Sequence, residues 1–345
     1  HGSKNPLRVS AMFEVVRDCI DEVTGCLDAH GHQAGGYHVL GPDPWRVVWN
    51  GQRTTFAAFL EAQYAILGWR SSIGPTEARE DALMELIAHA EAVRKPLFIV
   101  LVDEATCLSG IRHGLVPTWI GTESFIDLPT WSTAGGRRQK VRWARNHAAG
   151  LGLQWRELYP TTNANDHASM TDVEQTWKVE RRERRTDSFQ RTSFTELAGI
   201  RRYFGCVDGD RVLAFCACTP ASSTGWYLQD IVRVPEAPRG ALEGAMALAL
   251  DALRDEGFET ASNGPIPFWQ PEGAQPDSHA LGPVGNRVIR FFDRQYRFGG
   301  ISQFRNKFVA DRTEPLYVLR NRRAIGPFAA ASLVRLLTKP APKID

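Results

Sequence analysis

Trp226-Tyr227-Leu228-Gln229-Asp230-Ile231-Val232-Arg233-Val234-Pro235, followed by Glu236-Ala237-Pro238-Arg239-Gly240, is the stretch whose reading decides the fold. It reads as a buried strand that stops at a Pro/Gly-rich loop and delivers the chain into an apolar helix running to about Gly257. The start of such a helix offers free backbone N–H groups to an anion or a carbonyl oxygen, which makes this corner a candidate active site. Asp230 and Arg233 carry opposite charges three residues apart, so a regular pleat points them to opposite faces unless a bulge redirects one.

Outward from that corner, helices are expected near 171–185 and 194–200, then strands at 202–207 and 211–219 around the Asp208-Gly209-Asp210 turn. After the opening strand come a helix at 240–256, a strand near 258–262, a helix at about 285–295, a strand at 316–319 and an amphipathic helix at 324–337. In the first half, Phe13, Val16, Ile20, Val23 and Leu27 predict a helix over about 11–29, and Asn50-Gly51 predicts a hairpin between Trp45–Trp49 and Thr54–Leu60. A helix marked by Leu83, Leu86, Ala90 and Val93, strands at 97–102 and 118–128, a basic helix from Gly135 to Gly150 and a strand at 153–159 complete it. The polar segment 161–169 marks a boundary, giving domains at 8–160 and 165–330 and a tail at 331–345.

Composition narrows the function classes. Of 345 residues, 43% are apolar, enough for one or two proper cores. The formal charge is only +2, so any contact with nucleic acid or membrane must come from local patches. No run approaches about eighteen apolar residues, and the first residues lack a charged-then-apolar signal pattern. Neither stable membrane insertion nor export is expected, and the expected compartment is the cytoplasm. The six cysteines have no C-x-x-C pair and no zinc-like spacing, so reduced thiols and no metal are expected.

In order, the second half reads helices, three antiparallel strands, helix, strand, helix, strand, which is the succession of a GNAT-type acyltransferase. Asp230-Ile231-Val232-Arg233, Pro238 to Gly240, Asn263-Gly264-Pro265-Ile266-Pro267 and Gly300 to Phe308 resemble the C-terminal domain of aminoacyl-phosphatidylglycerol synthases. Gly121-Thr122-Glu123-Ser124-Phe125-Ile126-Asp127-Leu128, with Gly136, Arg142 and Asn146, is similar to a segment of the same family, so the resemblance covers about residues 37–320. It implies an α/β (α+β) chain of two tandem GNAT-like domains, each a mixed, mostly antiparallel sheet flanked by helices, with the chemistry in the second. The implied reaction moves an amino acid from aminoacyl-tRNA to a small-molecule, peptide or lipid acceptor. The family's middle residues at Ile231 and Val232 differ, and so does its motif at Asn263 to Pro267.

An aminoacyl ester is already activated, so transfer needs positioning, oxyanion stabilisation and proton management, and no ATP or other cofactor. The resemblance assigns Asp230 to orient or deprotonate the acceptor or to bind the substrate amine, Arg233 to organise Asp230 or hold a phosphate, and Lys307 to steady an oxyanion or a phosphate. Arg239, Gly240, Asn263 and Tyr317 are the expected substrate contacts. Arg287, Arg290, Arg294 and Arg297 recur at helical spacing and, with Arg305, form the expected tRNA-binding stripe. Arg239-Gly240-Ala241-Leu242-Glu243-Gly244 partly matches an acyl-CoA loop, so a CoA-dependent N-acyltransferase stays open beside the tRNA reading. So does a catalytically silent tandem protein that binds tRNA or another protein.

Overall fold

Each half of the chain forms a four-strand antiparallel meander whose last strand pairs in parallel with a fifth. The computed structural model describes residues 12–180, 197, 199–267 and 298–338. The first meander is β1 (Met12–Val15), β2 (Arg46–Trp49), β3 (Phe56–Glu61) and β4 (Ile66–Ile73), with β5 (Leu97–Val102) parallel to β4. After β6 (Val116–Asp127), the second meander is β7 (Gln154–Leu158), β8 (Arg202–Asp208), β9 (Arg211–Ser222) and β10 (Gly225–Arg233), with β11 (Thr260–Pro267) parallel to β10. The sixth strands are exchanged: β12 (Arg312–Arg320) pairs with β5, β6 pairs with β11, and β6 and β12 pair with each other. Among the described residues the result is one sheet in the order β1-β2-β3-β4-β5-β12-β6-β11-β10-β9-β8-β7. The expected mixed, mostly antiparallel sheet is present in each half, and the halves are joined edge to edge through β6 and β12.

Helices cover both faces. One face carries α1 (Ile20–His30) and α5 (Ala164–Glu180); the other carries α2 (Arg79–Ala92), α3 (Glu104–Arg112), α4 (Gln139–Gly150) and α6 (Ala241–Asp255). Burial on both sides explains why β9 is buried without interruption from Val212 to Thr219, where a half-exposed strand would alternate. Phe215 and Ala217 pack with Met170 and Val173 of α5, whereas Cys216 and Cys218 pack with Met246, Leu250 and Leu253 of α6. Burying each of those three α6 side chains stabilises the fold by about 1.5–3 kcal/mol. The six cysteines are free thiols, and burial pushes Cys206 up to about 12.

Several expectations change. Residues 12–15 form β1 because Met12 to Val15 pair with Trp49 to Arg46 of β2, and regular helix begins only at Ile20. The polar segment at 161–169 caps and opens α5: the Asn163 side chain accepts from the Asn165 and Asp166 amides, and buried Asp166 receives two hydrogen bonds from Arg156. One further helix, α7 (Phe298–Arg305), precedes β12 in sequence, and the expected amphipathic helix follows it as α8 (Pro327–Thr338), whose Leu333 and Leu336 pack on the α1 core. The helix expected at 285–295 lies outside the described residues.

The close approach of α6 to α4 depends on one glycine. Gly240 caps α6 with φ +102°, and a Cβ there would stand 1.9 Å from the carbonyl oxygen of Ala144. Both the backbone conformation and the contact exclude a side chain. Gly240→Ala is expected to lower unfolding stability by at least about 2 kcal/mol, read as a reduced denaturant midpoint, whereas Gly135→Ala, whose Cβ meets nothing within 4 Å, should cost only its own backbone strain of about 1–2 kcal/mol.

Candidate active site

Gln229 is an extra residue in β10. The register against β9 steps from Leu228 opposite Cys218 to Asp230 opposite Ala217, a β-bulge. A regular pleat would place Asp230 on the α6 face with Leu228; the bulge turns it to the α5 face, where Tyr227 also points. Beyond Asp230 the register is unbroken to Arg233 opposite Ala214, so Arg233 faces the other way. It is exposed and donates to the Ala237 carbonyl at 3.1 Å, bracing the loop before α6. The expected Asp230–Arg233 partnership is therefore replaced: the cation beside Asp230 is Arg201, with Nη1 3.3 Å from Oδ2 and its side chain only 3% exposed.

The same strand opens a gap in the sheet. β10 and β11 pair only from Gly225–Tyr227 to Thr260–Ser262 and then part, while β11 slips register at Asn263 and continues along β6. Arg305 of α7 stands in the opening: its guanidinium donates to the Pro265 carbonyl, and its own carbonyl accepts from Asn263 Nδ2 at 3.1 Å. Gly264 has φ +87°, and a Cβ on it would lie 2.5 Å from that guanidinium. Arg305 is thus buried and structural, though its charge reaches Tyr227 and Asp230 on one face and Cys216 on the other.

On the α5 face a row of polar groups crosses the sheet from Arg201 and Asp230 past Tyr227 and Ser262 to Glu123 and Arg70. The Arg70–Glu123 ion pair is 2.8 Å long with both side chains at most 4% exposed, and Ser262 Oγ donates to the second Glu123 oxygen at 2.6 Å. Glu314 lies opposite Glu123 in the β6–β12 register, and burial, reinforced by Glu123, raises its carboxyl above the ordinary range. Burial also raises the Tyr227 hydroxyl. Asp230 Oδ2 is buried without a hydrogen-bond partner among the described residues. Burial pushes its carboxyl up, Arg201 pulls it down, Glu174 of α5 pushes it up and Arg305 pulls it down, with a net rise.

On the α6 face, Lys307 Nζ pairs with the buried Glu243 carboxylate at 2.8 Å, and both line a cavity of about 340 Å³ with Arg239, Lys140 and Trp143. The structure thus brings Lys307 together with Arg239 and places Asp230 on the opposite face, across the opening. Asn263 is buried at the β11 slip, and Tyr317 is buried in the core against α2 and α3. Arg287, Arg290, Arg294 and Arg297 lie outside the described residues. Sequence reasoning missed Arg201, Glu174, Tyr227, Arg70 and Glu123 as a group. Only the spacing of Tyr227 and Asp230 around one bulge hinted at it, because Arg70 and Glu123 meet across 53 residues of chain.

The fold and this arrangement can be set beside known proteins. Residues 60–320 match the family of phosphatidylglycerol lysyltransferase C-terminal domains. The chain belongs to this family. A phosphatidylglycerol lysyltransferase of Staphylococcus haemolyticus is 23% identical over 286 residues, covering 79% of this chain and 33% of that protein. The chain therefore spans about a third of the curated relatives it matches. Among solved structures, L-PGS from Bacillus licheniformis superposes with a TM-score of 0.74 at 14% identity, covering 93% of this chain and 97% of that one. A C-terminal domain from Agrobacterium fabrum named for lysylphosphatidylglycerol synthetase gives 0.79 at 16% identity, covering 95% and 99%. These likenesses show that the chain shares their fold, a large mixed sheet flanked by helices. Among the described residues no helix is long and apolar enough to cross a membrane.

The raised Asp230 carboxyl has a pH signature. Its proton is held above the ordinary value of 3.8, so its stabilising contribution is full below that value and is lost as pH rises through the folded pKa. If the carboxylate is the working form, the kcat/KM for transfer rises along an acid limb displaced above that value. Arg201→Gln removes the neighbouring cation, and a pH–rate profile should show the limb moved to higher pH; a limb moved to lower pH would contradict the assignment.

Proposed function

We propose that this chain is an aminoacyltransferase that takes an amino acid from the 3′ ester of aminoacyl-tRNA and passes it to an amine or hydroxyl of a small molecule, peptide or lipid. The observation that carries this reading is the largely buried Asp230 carboxylate beside the opening between β10 and β11, its Oδ2 without a hydrogen-bond partner among the described residues and under the charges of Arg201 and Arg305. In the transfer, the acceptor N or O attacks the ester carbonyl and gives its proton to the Asp230 carboxylate. The carbon–oxygen bond to the ribose breaks, and the proton returns to the leaving ribose hydroxyl. Arg305, fixed structurally by its hydrogen bond to the Pro265 carbonyl, adds positive charge near Asp230. Arg201 pulls the Asp230 carboxyl down against the upward push of burial. Arg287, Arg290, Arg294 and Arg297 act as tRNA phosphate contacts. The cytoplasm is the compartment that supplies the donor.

The relatives' name makes the hydroxyl of phosphatidylglycerol the first acceptor to test. A CoA donor fits less well. In a GNAT-type site its diphosphate would lie on the first turn of the helix after the splayed strand, and here α4 is pressed against that turn at Gly240 while Trp155 Nε1 donates to the Ala241 carbonyl at 3.0 Å. The two glycines that resemble a CoA loop are accounted for by contact: Gly240 meets α4, and Gly244 meets the Trp155 ring.

Incubation with a full set of radiolabelled aminoacyl-tRNAs, each with and without phosphatidylglycerol vesicles, should show one or a few discharged in a ribonuclease-sensitive reaction. Asp230→Asn is expected to lower kcat by about 10²–10⁴-fold with little change in folding. Unchanged turnover would remove Asp230 from the chemistry, and turnover with acyl-CoA alone would replace the donor.

A further inference from the structure

The cavity between α4 and α6 has a composition that the transfer step does not use. Lys140, Arg239 and Lys307 line it against a single carboxylate, Glu243, so three cations face one anion. Glu243 is buried and already paired with Lys307. Among the described residues, no carboxylate pairs with Lys140 or Arg239. The other cations of the basic helix are consumed internally. Arg137 and Arg138 bind Asp311, Arg142 binds the carbonyls of Thr133 and Gly135, and Arg145 binds Asp251. Lys140 is the one that faces the cavity.

An aromatic platform adjoins these charges. Trp143 is 53% exposed, an unusual placement for a tryptophan one helical turn from Lys140, and its ring is stacked on His147 with centroids 5.3 Å apart and an interplanar angle of 4°. The Arg239 guanidinium lies 5.8 Å from the Trp143 ring on the cavity side. A flat, preordered, exposed ring beside cations is the combination that holds a nucleotide, with the base stacked and the phosphate neutralised. The volume of about 340 Å³ is at the lower end for a small-ligand pocket and suits one nucleotide better than a lipid or peptide.

We infer that the α4–α6 cavity binds an adenosine nucleotide, its base stacked on Trp143 and its phosphate held by Lys140, Arg239 and Lys307. Resting on the donor reading above, that nucleotide is the 3′-terminal residue of the tRNA. Lys307 lines the cavity and follows Arg305 by two residues, so the bound nucleotide adjoins the end of α7 that fills the opening. The same chemistry occurs in CoA, which carries a phosphorylated adenosine, and the test separates the two sources.

The full chain is titrated with a fluorescently labelled 5′-phosphorylated oligonucleotide ending in CCA, with unlabelled CoA as competitor. Wild type is expected to bind the oligonucleotide, Trp143→Ala to bind it about tenfold or more weakly, and Trp143→Phe to retain most of the affinity. Lys140→Gln is expected to lower the slope of log K against log salt by about 0.7, the loss of one phosphate contact on a single strand. In turnover, Trp143→Ala and Lys140→Gln should raise KM for aminoacyl-tRNA and leave kcat within about twofold, as expected when binding energy is shared by ground and transition states. Trp143 and Lys140 are exposed, so neither variant should disturb folding, and an unchanged thermal midpoint verifies this. Oligonucleotide binding unaffected by Trp143→Ala and Lys140→Gln overturns the inference, even if wild type discharges aminoacyl-tRNA. Trp143-dependent oligonucleotide binding without discharge of any aminoacyl-tRNA supports the site and removes the donor reading instead. Displacement by CoA at concentrations where the oligonucleotide does not bind assigns the cavity to CoA and overturns the tRNA source.

Discussion

The parting of β10 from β11 is the constraint on which the site depends. Two parallel strands can separate only if something takes over the hydrogen bonds and volume between them, since unpaired buried backbone is costly. Here β11 is drawn onto β6, Asn263 and Gly264 absorb the change of register, and Arg305 fills the gap with its hydrogen bond to Pro265. The bulge at Gln229 belongs to the same event. It turns Asp230 from the apolar α6 face to the polar α5 face at the level where the strands diverge, and its backbone shift is steadied by the Thr219–Gln229 hydrogen bond of 2.7 Å.

The first half shows the same architecture with a different outcome. β4 and β5 also pair in parallel over four residues and then part, and the backbone is left-handed at Arg70 (φ 56°) and Leu101 (φ 60°). There the gap is closed by a side chain: Gln33 accepts from the Ser71 amide at 3.1 Å and donates to Asp103 at 2.6 Å. Burial would raise the Asp103 carboxyl, but hydrogen bonds from His32 and Thr106 hold it well below the usual carboxylate range. Asp103 is thus a satisfied structural anion and Asp230 an incompletely satisfied one. Arg70, in place of serving a site of its own, reaches Glu123 beside the second opening. The exchanged strands β6 and β12 bring Arg70 of the first half and Ser262 of the second to the same carboxylate, Glu123.

Much of this was legible along the chain. The strand, loop and helix from Trp226 to Gly257, the hairpin at Asn50-Gly51, β5 and the basic helix α4 all follow from local periodicity and turn residues. The early helix is present from Ile20 on and failed only at its start, where pairing with β2 overrode the spacing and drew Met12 to Val15 onto the edge of the sheet. The segment at 161–169, read as a boundary from its polar residues, also starts α5, with Asn163 as the cap and Asp166 as a buried anchor. In the site, the anion could be named from the sequence and its partner could not. Arg233 is close in sequence but has the wrong parity on the strand, while Arg201 precedes β8, two strands away.

By itself, then, the sequence determined the family and the mixed α/β plan, and it singled out Asp230 as a candidate, because these depend on residue type at short spacing. Only the tertiary structure decided which cations serve the site. Arg305 proved to be a buried strut, Tyr317 a core residue and most of the α4 arginines internal braces, while Lys140 and Arg239 kept their charge toward a cavity. A cation's role is set by which carboxylate or carbonyl the fold delivers to it. That delivery runs across strand register and sheet exchange, which no local pattern encodes.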